Sequence, residues 1–326
     1  MKIIKAEILI SRQCNLRCGY CAMWRKERNE ISVQAWIEIF ETLTKKLSCP
    51  FYPIYGAEPL LYPGIYDIIK YFSDNRTAAY SLLTNATQLD SVAKRKLLDA
   101  GLDSITLSVD SLSMPGNGSI GKRNDVALKA IQWAIENRIE DVQGTSCVHR
   151  QNIEQIPELV RYLSSEGVWY SFDFIHDNKG QDPRLSKVAS PNPEYAFSWE
   201  RDWHTILEFL ETMLRMKKEG FMIYQPEAWF EKLLVDPIKF VVDREWKCSD
   251  PSWVTIDSDG SVLMCDDYFV PSGIPAVELP DRWDEFVEFK KREVKNCRGC
   301  AWCTHWLSDI QLAEADIRAV THGRRC

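Results

Sequence analysis

IIKAEILISRQCNLRCGYC (residues 3–21) places Cys14, Cys18 and Cys21 directly behind a short apolar run. Residues 3–10 read as one buried strand that delivers Cys14 into the loop beyond its carboxyl end. Outward from there the pattern repeats. Ser32 caps a helix, VQAWIEIFETLTKKL, whose apolar positions recur at helical spacing. FYPIY (51–55) precedes a helix near 64–73, AAYSLLT (78–84) a helix over 90–100, and DSITLSVD (103–110) a helix near 124–137. DVQGTSCVHR (141–150) leads into a helix over 153–166, and VWYSFDFI (168–175) opens the sixth unit. Strand and helix alternating every roughly 25–35 residues predict an α/β fold with a parallel sheet and crossover helices. Such a sheet carries its ligand sites beyond the strand carboxyl ends, where CNLRCGYC, YGAEP, TNA and SVDS all fall.

The 326 residues hold 40 Lys and Arg against 47 Asp and Glu, a net charge of −7. That balance disfavours nucleic acid as the main partner. No apolar run approaches ~18 residues and no secretory signal precedes the first strand, so the expectation is a cytoplasmic protein with no membrane partner. In a reducing compartment, eleven cysteines point to metal ligands more than to disulfides. Nine of them fall in two groups: Cys14, Cys18 and Cys21, then Cys248, Cys265, Cys297, Cys300, Cys303 and Cys326; Cys49 and Cys147 stand apart. Three close thiols with no fourth Cys or His nearby suit a four-iron cube with one open iron better than structural zinc.

Past the sixth strand, DNKGQDPRLSKVASPNP (177–193) is polar and Pro-rich, and a helix near 195–219 follows. WVTIDSDGSVLMC (253–265) reads as a hairpin turning at Asp259-Gly260, with a helix near 282–294 before the cysteine-rich end. The expected division is a barrel over 1–180, a helical linker region over 181–245 and a small auxiliary domain over 246–326.

CNLRCGYC, with Tyr20 just before the third cysteine, resembles the signature of radical S-adenosylmethionine (SAM) enzymes. The resemblance implies a partial (β/α)6 TIM-like barrel. It also implies a [4Fe–4S] cluster on Cys14, Cys18 and Cys21 whose open iron chelates SAM, and reductive cleavage of SAM to a radical that abstracts hydrogen from substrate. Gly56-Ala57-Glu58-Pro59 is similar to the family's Gly-Gly-Glu-Pro, whose backbone meets the SAM amino group, with alanine in place of one glycine. Asn85 lies in TNA, similar to Thr-Asn-Gly; Ser108 and Asp110 sit where family members bind the SAM ribose or carboxylate. Arg123 stands about where some members place an arginine on that carboxylate, and equally reads as a surface residue.

Cys248, Gly260 and Cys265 resemble the Cys-x(9–15)-Gly-x4-Cys pattern of SPASM and Twitch extensions, which hold auxiliary [4Fe–4S] clusters. CRGCAWC departs from the full SPASM arrangement, and two partitions stay open. One cluster takes Cys248, Cys265, Cys297 and Cys300; or Cys297, Cys300, Cys303 and Cys326 form one beside an incomplete second. GSVLMCDDYFV resembles a run of sulfatase-maturating enzymes in which the acid after the cysteine, here Asp266, is a base beside substrate. Cys147, in a barrel strand, is a candidate hydrogen donor to a substrate radical.

The expected activity is abstraction of hydrogen from an unactivated C–H bond of a ribosomal peptide or natural-product precursor, leading to oxidation, cross-linking or epimerisation. The alternative substrate is a small molecule, a sugar or aminocyclitol undergoing dehydrogenation or epimerisation. Either needs an electron donor of the flavodoxin or ferredoxin type. A non-enzymatic iron–sulfur carrier is the rival from another class, and the GAEP, TNA and SVDS loops have no purpose in one.

Overall fold

A computed structural model describes residues 3–21, 23, 29–112, 119–120, 123–175, 194–197, 199–235, 253–266 and 268–297. In chain order the barrel strands are β1 (Lys5–Ser11), β2 (Phe51–Gly56), β3 (Ala79–Thr84), β4 (Ser104–Ser108), β5 (Asp141–Val148) and β6 (Trp169–Phe174). Between them run α1 (Val33–Leu47), α2 (Ile65–Asn75), α3 (Ser91–Asp99), α4 (Asn124–Glu136) and α5 (Ile156–Ser165). Later come α6 (Trp199–Lys218), α7 (Glu227–Val235), strands β7 (Trp253–Ile256), β8 (Ser261–Leu263) and β9 (Pro271–Pro275), and α8 (Trp283–Asn296). Among the described residues, nine strands join one sheet in the order β9-β8-β7-β1-β2-β3-β4-β5-β6.

From β1 through β6 every neighbouring pair is parallel, as the alternation predicts. The expected hairpin is present and joins this sheet: β7 pairs in parallel with β1, Lys5 opposite Trp253 and Ile8 opposite Ile256, and β8 turns back antiparallel on β7. The hairpin therefore continues the barrel sheet beyond β1. Sequence periodicity carries no information about a partner some 250 residues away, whereas pairing on both sides removes the exposed edges of an apolar strand such as WVTI.

The helices form where the amphipathic spacing and caps require. On α1 the buried residues Trp36, Ile39, Phe40, Leu43 and Leu47 make one stripe, and the Ser32 hydroxyl accepts the Ala35 amide at its start. Asp90 accepts the Val92 and Ala93 amides to start α3. Behind β1 and β2 the stripe meets an aromatic layer: Phe40 lies 4.9 Å from Phe72 and 5.1 Å from Tyr52, ring centre to ring centre. Burying each such side chain contributes about 1.5–3 kcal/mol.

Strand alternation divides β1 between two sides. Ala6, Ile8 and Ile10 enter the core under the helices, while Leu9 joins Tyr55, Met23, Leu263 and Phe269 in a separate apolar cluster. Glu7, alongside Leu9, is buried with Lys5, Tyr55 and Thr255 as hydrogen-bond partners. At the opposite end of the barrel from the cysteines, a cavity of about 870 Å³ opens among the first residues of β3 to β6, including Ser104, Asp141 and Trp169. Burial pushes the Asp141 carboxyl above its usual range, and hydrogen bonds from Ser104 and Gln143 partly restrain it. No described helix is long and apolar enough to cross a membrane.

Candidate active site

Cys14, Cys18 and Cys21 follow β1 directly, on the loop beyond its carboxyl end. The Leu16 amide donates to Cys14 Sγ at 3.3 Å, and the Cys21 amide to the Cys18 carbonyl at 3.0 Å. Burial pushes the Cys14 thiol up to about 11, and Glu58, Cys18 and Cys21 add to the rise. At neutral pH that thiol is protonated, so metal binding expels a proton.

The loop after β2 is pressed against this segment. Gly56 has φ +136°, and a Cβ there would lie 2.3 Å from the Ser11 carbonyl oxygen. Just beyond it, the Ala57 amide donates to that oxygen at 2.9 Å and the Glu58 amide to the Gln13 carbonyl at 2.8 Å. Gly56→Ala is therefore expected to cost about 3 kcal/mol, from a strained φ and an overpacked contact, and to lower the iron retained after reconstitution. Denaturant titration and iron analysis check both; a variant with wild-type stability contradicts the contact.

Glu58 is fully buried. Its carboxylate accepts from Thr84 Oγ1 at 2.6 Å, the Asn85 amide at 2.8 Å and the Leu60 amide at 3.1 Å. Burial pushes this carboxyl up, and those three bonds pull against the rise. Its position makes it the tie between the GAEP and TNA loops. From there Asn85 Nδ2 reaches Asn15 Oδ1 at 3.2 Å and approaches Cys14 Sγ at 3.9 Å, so the TNA loop closes over the cysteine loop.

Across the barrel mouth, Tyr20 donates to Asp110 Oδ2 at 2.9 Å, with burial and Asp110 holding the phenol well above its ordinary range. Asp110 also accepts from the Cys147 amide at 3.3 Å, and Asn124 and Asn152 hold its backbone. Cys147 packs beside Cys18 and Cys21 against Tyr20, Ile175, Tyr195 and Ala196. The structure thus brings Tyr20, Asp110 and Cys147 together with the cysteine loop. Ser108 ends β4 opposite Thr145. Arg123 goes elsewhere: its guanidinium makes a bidentate pair with Asp125, both bonds 2.8 Å, on the exposed start of α4.

His149 had no role in the sequence reading, yet its buried ring stands 5.4 Å from that of Tyr20 and 5.2 Å from that of Tyr195. The signal was available, since His149 follows Cys147 by two residues, the strand period. Ser11, Gln13 and Glu30 were also missed: Ser11 Oγ donates to Glu30 Oε1 at 2.5 Å and Gln13 Nε2 to the same oxygen at 3.0 Å. They join the two ends of the cysteine segment.

At the hairpin end, Cys265 Sγ accepts the Tyr268 amide at 3.0 Å. Burial raises the Tyr268 hydroxyl, as do Glu293, Cys297 and Cys265, which places Cys265 and Cys297 around one residue. Asp266 is buried beside Tyr55, whose hydroxyl also bonds Glu7 at 3.3 Å. Cys248, Cys300, Cys303 and Cys326 lie outside the described residues.

Does the triad fit an iron–sulfur cluster? Among the described residues no three Cys, His, Asp or Glu side chains close on a single ion, yet Cys14 senses the charges of Cys18 and Cys21. Three cysteine sulfurs on one loop, with no fourth Cys or His in the segment, are the donor set of a four-iron cluster with one open iron and fall short of a closed tetrahedral zinc site.

Residues 8–163 match the family model described as Radical SAM superfamily. A probable GTP 3′,8-cyclase of Methanocaldococcus jannaschii is 29% identical over 60% of this chain and 68% of its own length. One from Methanococcus aeolicus is 26% identical over 81% and 85%. Among solved structures, Streptococcus suis SuiB bound to S-adenosylmethionine superposes with TM-score 0.67 at 17% identity, over 89% of this chain and 68% of that one. Native anSMEcpe with bound AdoMet and Cp18Cys peptide gives 0.62 at 14%, over 97% and 96%. At those identities the structures show a shared fold alone. The curated relatives correct the expected function, a peptide or natural-product precursor with a sugar or aminocyclitol as alternative: they are named for cyclisation of GTP. The motif at the end of β1, the loops folded over it and the family match agree: the chain is an enzyme that carries a Radical SAM domain over residues 8–163.

Proposed function

We propose that this enzyme cleaves SAM reductively at Cys14, Cys18 and Cys21 and acts on a small polar substrate, a purine nucleotide being the first candidate. The observation that carries the site is the cysteine loop held against the GAEP and TNA loops by Glu58 and Gly56. The curated relatives, one of them matched over 81% of this chain, support the nucleotide.

Cys14, Cys18 and Cys21 would hold the cluster, which when bound supplies one-electron cleavage of SAM. The protein's own residues then orient and shelter. Glu58 fixes the backbone amides around the SAM-facing loops, and Asp110 anchors Tyr20 over the third cysteine. Asp266 offers a buried carboxylate beside Tyr55, suited to accept a proton. In this reading Cys265 and Cys297 belong to an auxiliary cluster completed by cysteines of the C-terminal group, and a flavodoxin or ferredoxin delivers the electron.

Anaerobically reconstituted protein, reductant, SAM and GTP deuterated on ribose and base test the substrate. Deuterium is expected in 5′-deoxyadenosine. If GTP leaves SAM cleavage unchanged and no label moves, the nucleotide reading fails.

A further inference from the structure

The segment from Ser11 to Cys14 is the meeting point of contacts from three parts of the chain. The Ser11 and Gln13 carbonyls accept the Ala57 and Glu58 amides, and their side chains bind Glu30. The third contact comes from the far end of the chain. Arg12 Nε donates to Asp257 Oδ1 at 2.6 Å, and a second guanidinium nitrogen pairs with Oδ2. Arg12 also lies over the Phe269 ring, 5.9 Å from its centre.

Asp257 begins the turn between β7 and β8, and its side chain is only 4% exposed. The turn is rigid: the Ser258 amide donates to Asp257 Oδ1 at 2.7 Å and the Gly260 amide to the Asp257 carbonyl at 2.9 Å. It grips the other end of the cysteine segment too, where the Ile31 amide donates to the Ser258 carbonyl at 2.9 Å. The stretch from residue 12 to residue 31, which contains all three cysteines, is thus held at both ends by one hairpin turn. The same hairpin runs on through β8 to Cys265.

We propose that Arg12 and Asp257 are positioning residues, a clamp through which the C-terminal hairpin sets the geometry of the cysteine loop and so its affinity for SAM. The proposal rests on Cys14, Cys18 and Cys21 holding the cluster. An arginine suits the task because its planar fork fixes both distance and orientation against a carboxylate, which a lysine ammonium does not. Groups that hold a metal-binding segment from outside its ligands commonly change affinity or activity about ten- to a hundredfold when removed.

The test compares wild type, Arg12→Gln, Arg12→Lys, Asp257→Asn and the Arg12→Gln/Asp257→Asn double variant. Each reconstituted protein is assayed for iron per chain, SAM dissociation constant and the change that SAM produces in the electron paramagnetic resonance signal of the reduced cluster. The single variants are expected to keep their iron, bind SAM about ten- to a hundredfold more weakly and show an altered SAM-dependent signal. The double variant should be no worse than the singles, because both remove one coupled contact, and Arg12→Lys should fall between. Wild-type SAM affinity and signal in both single variants overturn the clamp, and so does a double variant whose losses add. Should Arg12→Gln fail to fold, wild-type affinity in Arg12→Lys is the overturning result. A wild-type protein that takes up no iron contradicts the cluster reading instead, and is told apart by that measurement.

Discussion

Cys18→Ala is expected to abolish SAM cleavage and to lower the iron bound at the N-terminal site, while far-UV circular dichroism stays that of the wild type. Cys18 is only half-buried and packs at the edge of the Tyr20 cluster, so loss of its sulfur removes a ligand without opening a core cavity. A three-iron remnant or an empty site has no open, SAM-chelating iron of the required kind, so activity should fall to background rather than by a modest factor. Iron analysis and mass spectrometry of 5′-deoxyadenosine check the two halves. Persistent SAM cleavage in Cys18→Ala would sink the assignment of the triad.

The second large effect is expected at Glu58. Truncation to alanine leaves the Leu60 and Asn85 amides and the Thr84 hydroxyl without their acceptor in a fully buried place. A buried donor left unsatisfied costs about 1–3 kcal/mol, so Glu58→Ala should lose about 3 kcal/mol or more of stability. SAM cleavage should fall with it, because the GAEP and TNA loops lose their tie. Glu58→Gln keeps the shape and one acceptor oxygen but turns an amide nitrogen toward one of the donors, for an expected cost of about 1–3 kcal/mol. Denaturant midpoints of the metal-free proteins rank the three; a Glu58→Ala midpoint equal to wild type contradicts the tie.

Much of this site was legible from the chain because its parts are local. The parallel strands showed in repeated apolar runs, and the cysteine loop, GAEP, TNA and SVDS each followed a strand that could be located. Legibility ended where an interaction joins distant segments. Nothing around WVTI says that its edge partner is KAEI, and nothing in the ISRQC stretch says that Arg12 answers Asp257. Strand Pro271–Pro275 and helix Glu227–Val235 were not anticipated either; two prolines and a glycine in five residues are poor strand formers. The Glu58 carboxylate is taken by Thr84, Asn85 and Leu60, and Arg123, which read equally as a surface residue, is taken by Asp125. Residue type and spacing give the chemistry a side chain is capable of; its nearest partner in the folded chain decides which part it plays. Substrate preference lies still further from local spacing. The run after Cys265 suggested a peptide, whereas the curated relatives are named for GTP.

The most direct test is the fate of SAM in the wild-type enzyme. Anaerobically reconstituted protein is mixed with SAM and a one-electron reductant, and methionine and 5′-deoxyadenosine are quantified by mass spectrometry. The site built around Cys14, Cys18, Cys21 and Glu58 requires the two products in equal amounts and only when reductant is present. Iron-loaded protein that returns SAM intact under reduction contradicts it.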